Sequence, residues 1–140
     1  PERQQIQQPS IEIKDFYLTK RRLEGDYPKS GDRAGKWLIF VDRDEVDGWW
    51  QKISAAIDAG VLGGVAQVST VRPNRLSPNP SRHVICVFTY DSADRADVAR
   101  IRGALRDLGV TEKIAYKTNQ ATREGRYKVR GDKNVALYWE

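Results

Sequence analysis

A mixed α and β domain, one sheet with helices on one face, is what this chain of 140 residues predicts. Three observations carry the prediction. Short apolar or alternating runs at residues 36–41, 65–71, 81–90, 114–116, 126–130 and 135–139 read as strands. Two segments between them carry apolar residues at helical spacing, and each ends at a glycine, Gly60 or Gly109. Strand, helix and strand within about 35 residues fit a parallel crossover unit and equally a helix-covered antiparallel sheet, so strand direction stays open at this point.

Composition bounds the function. With 39% hydrophobic and 31% charged residues the chain reads as an ordinary soluble domain. No apolar run approaches the ~20 residues that cross a bilayer. The polar start Pro1-Glu2-Arg3-Gln4-Gln5 lacks an apolar signal region, so the expectation is a cytoplasmic protein with no membrane partner. The single cysteine, Cys86, excludes an internal disulfide and a cysteine metal cluster, and the single histidine, His83, excludes a histidine-rich zinc site. No metal and no cofactor is expected. The net charge of +5 and pI of about 9.4 favour anionic partners: RNA, a phosphorylated peptide or a phosphorylated small molecule.

Residues 1–34 are polar and broken by Gly25, Pro28 and Gly31, which predicts a loosely ordered arm ahead of one domain over residues 35–140. Within the arm only Ile11-Glu12-Ile13 and Phe16-Tyr17-Leu18 have the character to dock, and Lys20-Arg21-Arg22 reads as a solvated charge run. Lys36-Trp37-Leu38-Ile39-Phe40-Val41 is apolar on both faces after Lys36, as a buried strand would be. Asp42-Arg43-Asp44-Glu45 then opens a helix, with Asp44 as expected N-cap and Glu45 and Asp47 where the helix dipole favours acids. These acids read as a helix start rather than as a metal site. Val46, Trp50, Ile53 and Ile57 make the apolar stripe, and Trp49, about 100° away, widens it. After Gly63 and Gly64 comes the strand at 65–71, then a proline-rich loop over 72–81 made basic by Arg72, Arg75 and Arg82.

In the strand at 81–90, alternation puts Val84, Cys86 and Phe88 on one face and His83, Ile85, Val87 and Thr89 on the other. The first set is expected to face the helices, leaving His83 on the open face. Asp91 or Ser92 is expected to cap the next helix. Val98, Ile101, Leu105 and Leu108 are its apolar face, and Arg95, Arg102 and Arg106 are expected to point outward. Ile114-Ala115-Tyr116 is a short strand flanked by Lys113 and Lys117. Arg126-Tyr127-Lys128-Val129-Arg130 alternates, Gly131-Asp132-Lys133-Asn134 turns, and Val135-Ala136-Leu137-Tyr138-Trp139 closes the sheet.

Sorted by strand phase, Lys113, Lys117, Arg126, Lys128 and Arg130 gather on one face, with His83 on the same side, Arg82 beside it, and Tyr138 as an aromatic contact. Arginine forks with lysine point charges suit a phosphate. A lysine neutralised by neighbouring cations acts as a base and an imidazolium as an acid, which nominates Lys117 and His83 as a catalytic pair. Cys86, on the opposite face from His83, forms no Cys–His pair in this reading, and Gly60-Val61-Leu62-Gly63-Gly64 precedes a strand, unlike a phosphate-cradling loop.

Gly35-Lys36-Trp37-Leu38-Ile39-Phe40-Val41, Glu45-Val46-Asp47-Gly48-Trp49-Trp50, His83-Val84-Ile85-Cys86-Val87, and Tyr116-Lys117 followed by residues 122–127, resemble in order the blocks of the Bles03-type family. The resemblance covers roughly residues 35–140. It implies an α+β fold like that of the messenger-RNA cap-binding initiation factor: a curved, mainly antiparallel sheet, helices on its convex back, ligands on its concave front. The cap binder's base-sandwiching tryptophans have no counterpart in the loop Asp42-Arg43-Asp44 or in residues 72–81, so cap binding is not implied.

A weaker resemblance is to bacterial phosphothreonine lyases. It implies His83 as general acid, Lys117 as base, Arg126 or Arg130 on the phosphate, and Leu137-Tyr138 in the last strand. Ser81 stands where those enzymes have a lysine, and their arginine-bearing C-terminal extension has no match in these residues. The expectation is therefore binding of a phosphorylated or anionic ligand on a basic concave face, with β-elimination by Lys117 and His83, or RNA binding by the same face, as alternatives.

Overall fold

The run that is apolar on both faces becomes the middle of the sheet. The computed structural model describes residues 8–23, 25–73, 81–123 and 136–140. In chain order the elements are β1 (Tyr17–Arg21), β2 (Gly35–Asp42), α1 (Val46–Asp58), β3 (Val65–Ser69), β4 (Arg82–Thr89), α2 (Arg95–Leu108), β5 (Ala115–Thr118), α3 (Asn119–Arg123) and β6 (Tyr138–Trp139). They form one open, curved sheet in the order β1-β3-β4-β2-β5-β6, and all of its described pairings are antiparallel. The fold is α+β, and the direction left open by the strand–helix–strand spacing is antiparallel. The run at 126–130 and the turn at 131–134 lie outside the described residues.

The two long helices, α1 and α2, lie against the same face. Val46, Trp50, Ile53 and Ile57 of α1 and Val98, Ile101 and Leu105 of α2 form one buried cluster with Trp37, Ile39 and Val41 of β2, Ala66 and Val68 of β3, and Ile85 and Val87 of β4. The Trp37 indole N–H donates to the Val98 carbonyl at 3.1 Å, satisfying its only polar atom in the core. The docking piece of the N-terminal segment is β1, which pairs with β3 and buries Leu18. Arg22 then ties the segment down by donating to the Gly60 and Leu62 carbonyls at 3.1 and 2.7 Å.

Four local expectations are corrected. The faces of β4 are inverted: His83, Ile85, Val87 and Thr89 point at the helices, and Val84, Cys86 and Phe88 lie on the open face. The register fixes this, because Val41, Ile39 and Trp37 stand opposite His83, Ile85 and Val87. The N-cap of α1 is Glu45, without a side-chain cap, while the Asp47 carboxylate accepts from the Ser10 amide (3.0 Å) and hydroxyl instead of serving the helix. The cap of α2 is Asp94, accepting from the Asp97 amide at 3.1 Å; Asp91 accepts from the Ala93 amide in the turn before it. Arg102, four residues after Val98 on the buried stripe, is inside. Its guanidinium donates to the carbonyls of Val110 (2.9 Å), Glu112 (2.6 Å) and Glu140 (3.0 Å), which latches the C-terminal strand to α2.

Candidate functional site

The face of the sheet opposite α1 and α2 is built by the other strand phase. In β2 it carries Lys36, Leu38, Phe40 and Asp42; in β4, Arg82, Val84, Cys86 and Phe88; in β5, Ala115 and Lys117. Register places Lys36 directly opposite both Lys117 and Phe88. The Lys36 ammonium donates to Asn119 Oδ1 at 3.2 Å and lies 5.6 Å from the Phe88 ring centre. Lys117 is 7% exposed, and burial pulls its pKa below the usual lysine value, with a small opposing contribution from Cys86. The Cys86 thiol, equally buried, is pushed up to about 11 by desolvation, against the influence of Lys36 and Lys117. At the other end of the face Arg82 Nε lies 3.6 Å from Asp42 Oδ1, with its guanidinium 5.8 Å from the Phe40 ring centre. Lys117 and Cys86 are thus enclosed, whereas elsewhere on this face Tyr17, Phe40 and Trp139 are each more than half exposed.

The structure separates the predicted site residues into three groups. Lys117 and Arg82 share the open face, and Lys113 is exposed in the turn just before β5. His83 and Tyr138 belong to the helix-covered side. His83 is 1% exposed; its Nδ1 donates to the Ser69 carbonyl at 2.7 Å, and its Nε2 finds no partner among the described residues. Tyr138 pairs with Tyr116 and donates its hydroxyl to the Ser92 carbonyl at 3.1 Å. Arg126, Lys128 and Arg130 lie outside the described residues. The acid–base pair of His83 with Lys117 is therefore not assembled. Five residue steps along β4 lead from His83 to Phe88, the residue level with Lys117, which is about 17 Å along the strand and on the opposite side of the sheet.

Sequence reading missed two cations of this face. Lys36 was hidden as the polar start of an apolar strand. Arg21, exposed on β1 opposite Val65, was grouped with a solvated run. The signal for Lys36 was present: it shares strand phase with Asp42, the other charged residue of β2.

An open antiparallel sheet backed by α1 and α2 on one face is an α+β fold like that of the cap-binding initiation factor. By sequence the chain belongs to the family of basophilic leukemia-expressed protein Bles03, whose model matches residues 29–123. Two solved structures it is similar to, the first two named here, agree with the fold. A schistosome eIF4E, complexed with m7GpppA and 4E-BP, matches with a TM-score of 0.55 and 16% identity, covering 77% of this chain and 59% of that one. Caenorhabditis elegans eIF4E-3, in complex with the 4E-binding protein Mextli and a cap analog, matches at TM-score 0.51 and 23% identity, covering 66% and 54%. Ascaris suum eIF4E-3 with m2,2,7G cap matches at TM-score 0.48 and 24% identity, covering 62% and 51%. The chain thus spans between half and three-fifths of these proteins.

Proposed function

We propose that the domain binds a phosphorylated ligand on the open face of its sheet, with Lys36 and Lys117 holding the anion and Arg82 contacting it or its carrier at the far end. The observation that carries this reading is the direct opposition of Lys36 and Lys117 across β2 and β5. Like charges directly opposite each other cost stability, and the burial of Lys117 adds a desolvation cost to its charged form. A phosphate between the two ammonium groups relieves both, since it supplies opposite charge and charge-assisted acceptors. The m7GpppA bound by the schistosome protein is itself a phosphate-bearing ligand on this fold, which supports an anion-binding use. Titration calorimetry with a phosphothreonine peptide tests the reading. Lys36→Ala and Lys117→Ala are each expected to weaken binding about tenfold or more, as loss of a charged hydrogen bond does. Affinity unchanged in both variants would overturn it.

A second reading, single-stranded RNA, is favoured by one observation: the exposed Tyr17, Phe40 and Trp139 on the same face. Base–aromatic stacking contributes ~1–3 kcal/mol per base and tolerates any sequence. Tighter binding of an oligouridylate than of the phosphopeptide, with steep salt dependence, would select it. For the eliminase reading, Lys117 has the depressed pKa asked of a base, and the acid would be a group other than His83.

A further inference from the structure

We propose a second anion site, distinct from the Lys36–Lys117 pair: a recess of about 390 Å³ at the β1 end of the sheet that takes a small phosphate monoester. It needs neither Lys117 nor Arg82, so it stands apart from the reading above. Its floor is Val65 of β3 and Phe88 of β4, and its walls are Arg21, Arg22, Tyr27 and Lys29. Three of these are cations, and none of the described lining residues is an acid. Asp26 is exposed and is not part of the lining. Asp97, which accepts from the Tyr27 hydroxyl at 2.6 Å, is already paired with Arg100 at 2.9 Å. Concave walls with one sign of charge concentrate the opposite ion.

Two of the walls, Arg22 and Tyr27, are fixed before any ligand arrives. The Arg22 amide donates to the Gly64 carbonyl at 2.8 Å, its guanidinium is held by the Gly60 and Leu62 carbonyls, and that guanidinium lies 5.4 Å from the Tyr27 ring centre. The Tyr27 hydroxyl also accepts from the Tyr90 amide at 3.1 Å. Arg22 Nε is buried and finds no acceptor among the described residues, so the recess has an unmet donor of the right sign beside it. Arg21 and Lys29 are exposed and able to close on the phosphate. The organic part of the ester rests on Val65 and Phe88. The volume falls within the roughly 300–1,000 Å³ usual for small-ligand sites.

Phenyl phosphate is the probe, titrated into the full chain and followed by amide chemical shifts. The expected result is saturable shifts at Gly64, Val65 and Phe88, with phenol and inorganic phosphate each binding more weakly than the ester. Arg21→Ala with Lys29→Ala is expected to weaken the ester about tenfold or more. Both side chains are exposed, so the variant folds, which its tryptophan emission checks. Lys117→Ala is expected to leave the recess affinity within about twofold. The proposal is overturned by absence of saturable shifts, by phenol binding as well as the ester, or by a double variant that binds unchanged. Loss of binding in Lys117→Ala alone would place the ester on the sheet face and overturn the recess as a separate site.

Discussion

Lys117 carries an ammonium on a strand where only 7% of its surface meets water, and burial lowers its pKa from the ordinary 10.5. The unfolded chain titrates near that ordinary value. Between the depressed folded pKa and 10.5 the unfolded state therefore binds more protons, and the residue's contribution to stability rises with pH across that window. Below the folded pKa both states are charged and the penalty is complete; above 10.5 both are neutral and it is gone. Urea unfolding of the wild type against Lys117→Met should show a difference that moves in favour of the wild type as pH climbs through the window. A pH-independent difference would mean that Lys117 is not desolvated. His83 makes the opposite case, a polar side chain enclosed on the helix-covered side of the sheet. Its imidazole fills the core between β4 and the helices with Nδ1 held by the Ser69 carbonyl. His83→Ala is expected to destabilise by about 2–4 kcal/mol through the cavity it leaves, with ligand affinity unchanged in the folded fraction. Stability retained with affinity lost would reverse that assignment.

The elements show why some of this was legible and some was not. The ranges of β2, α1, β4 and α2 follow from periods of 2 and 3.6 residues and from Gly60 and Gly109, whose φ of 77° and 116° only glycine adopts easily. Strand phase sorts β4 into two sets but does not say which set is inside, and both sets are apolar. The deciding information is non-local: the registers of β2 and β3 with β4 carry the phase of Trp37, Ile39 and Val41, and of Ala66 and Val68, onto β4. Of the site, Lys117 was legible from strand phase; Arg82 was legible only as a cation of the basic loop, since the phase expected for Val84, Cys86 and Phe88 set it toward the helices, and Arg21 and Lys29 come together only in the fold, lining one recess with Phe88. The Asp94 carboxylate is held below its ordinary 3.8 first by the Tyr90 hydroxyl and then by the Asp97 amide. That stabilisation is present above 3.8 and lost as pH falls through the lower folded pKa, so Asp94→Ala should lower the melting temperature at neutral pH by an amount that shrinks on acidification. At the start of β2, a Cβ on Gly35 would overlap the Tyr116 hydroxyl. Tyr116 cannot withdraw, because it bonds Thr89 Oγ1 at 2.5 Å and packs edge-on against Trp37. Gly35→Ala should cost about 1–3 kcal/mol in urea unfolding, the usual effect of overpacking.

For the whole molecule, covering one side of the sheet with both helices leaves the chain's four tryptophans divided by face. Trp37 and Trp50 are buried on the helix side and Trp49 is packed against the same core, while Trp139 is 61% exposed and paired with Ala115 on the open face. Emission is thus a reporter of which side a ligand occupies. Titration with an oligouridylate or a phosphothreonine peptide should change the emission of Trp139 alone, and Trp139→Phe should abolish the change without altering the far-ultraviolet circular dichroism. A signal that persists in Trp139→Phe would put the ligand on the helix side and remove the open face as the site. Salt then separates the two ligands. An RNA strand crossing from Arg21 past Lys36 to Arg82 would neutralise three phosphates, giving a slope of log affinity against log salt of roughly −2. A single phosphate monoester between Lys36 and Lys117 engages two cations at one point and displaces no condensed counterions from a polymer, so its slope should be shallower. The tryptophan signal identifies the face, and the slope identifies whether the ligand runs along the face or sits at one place on it.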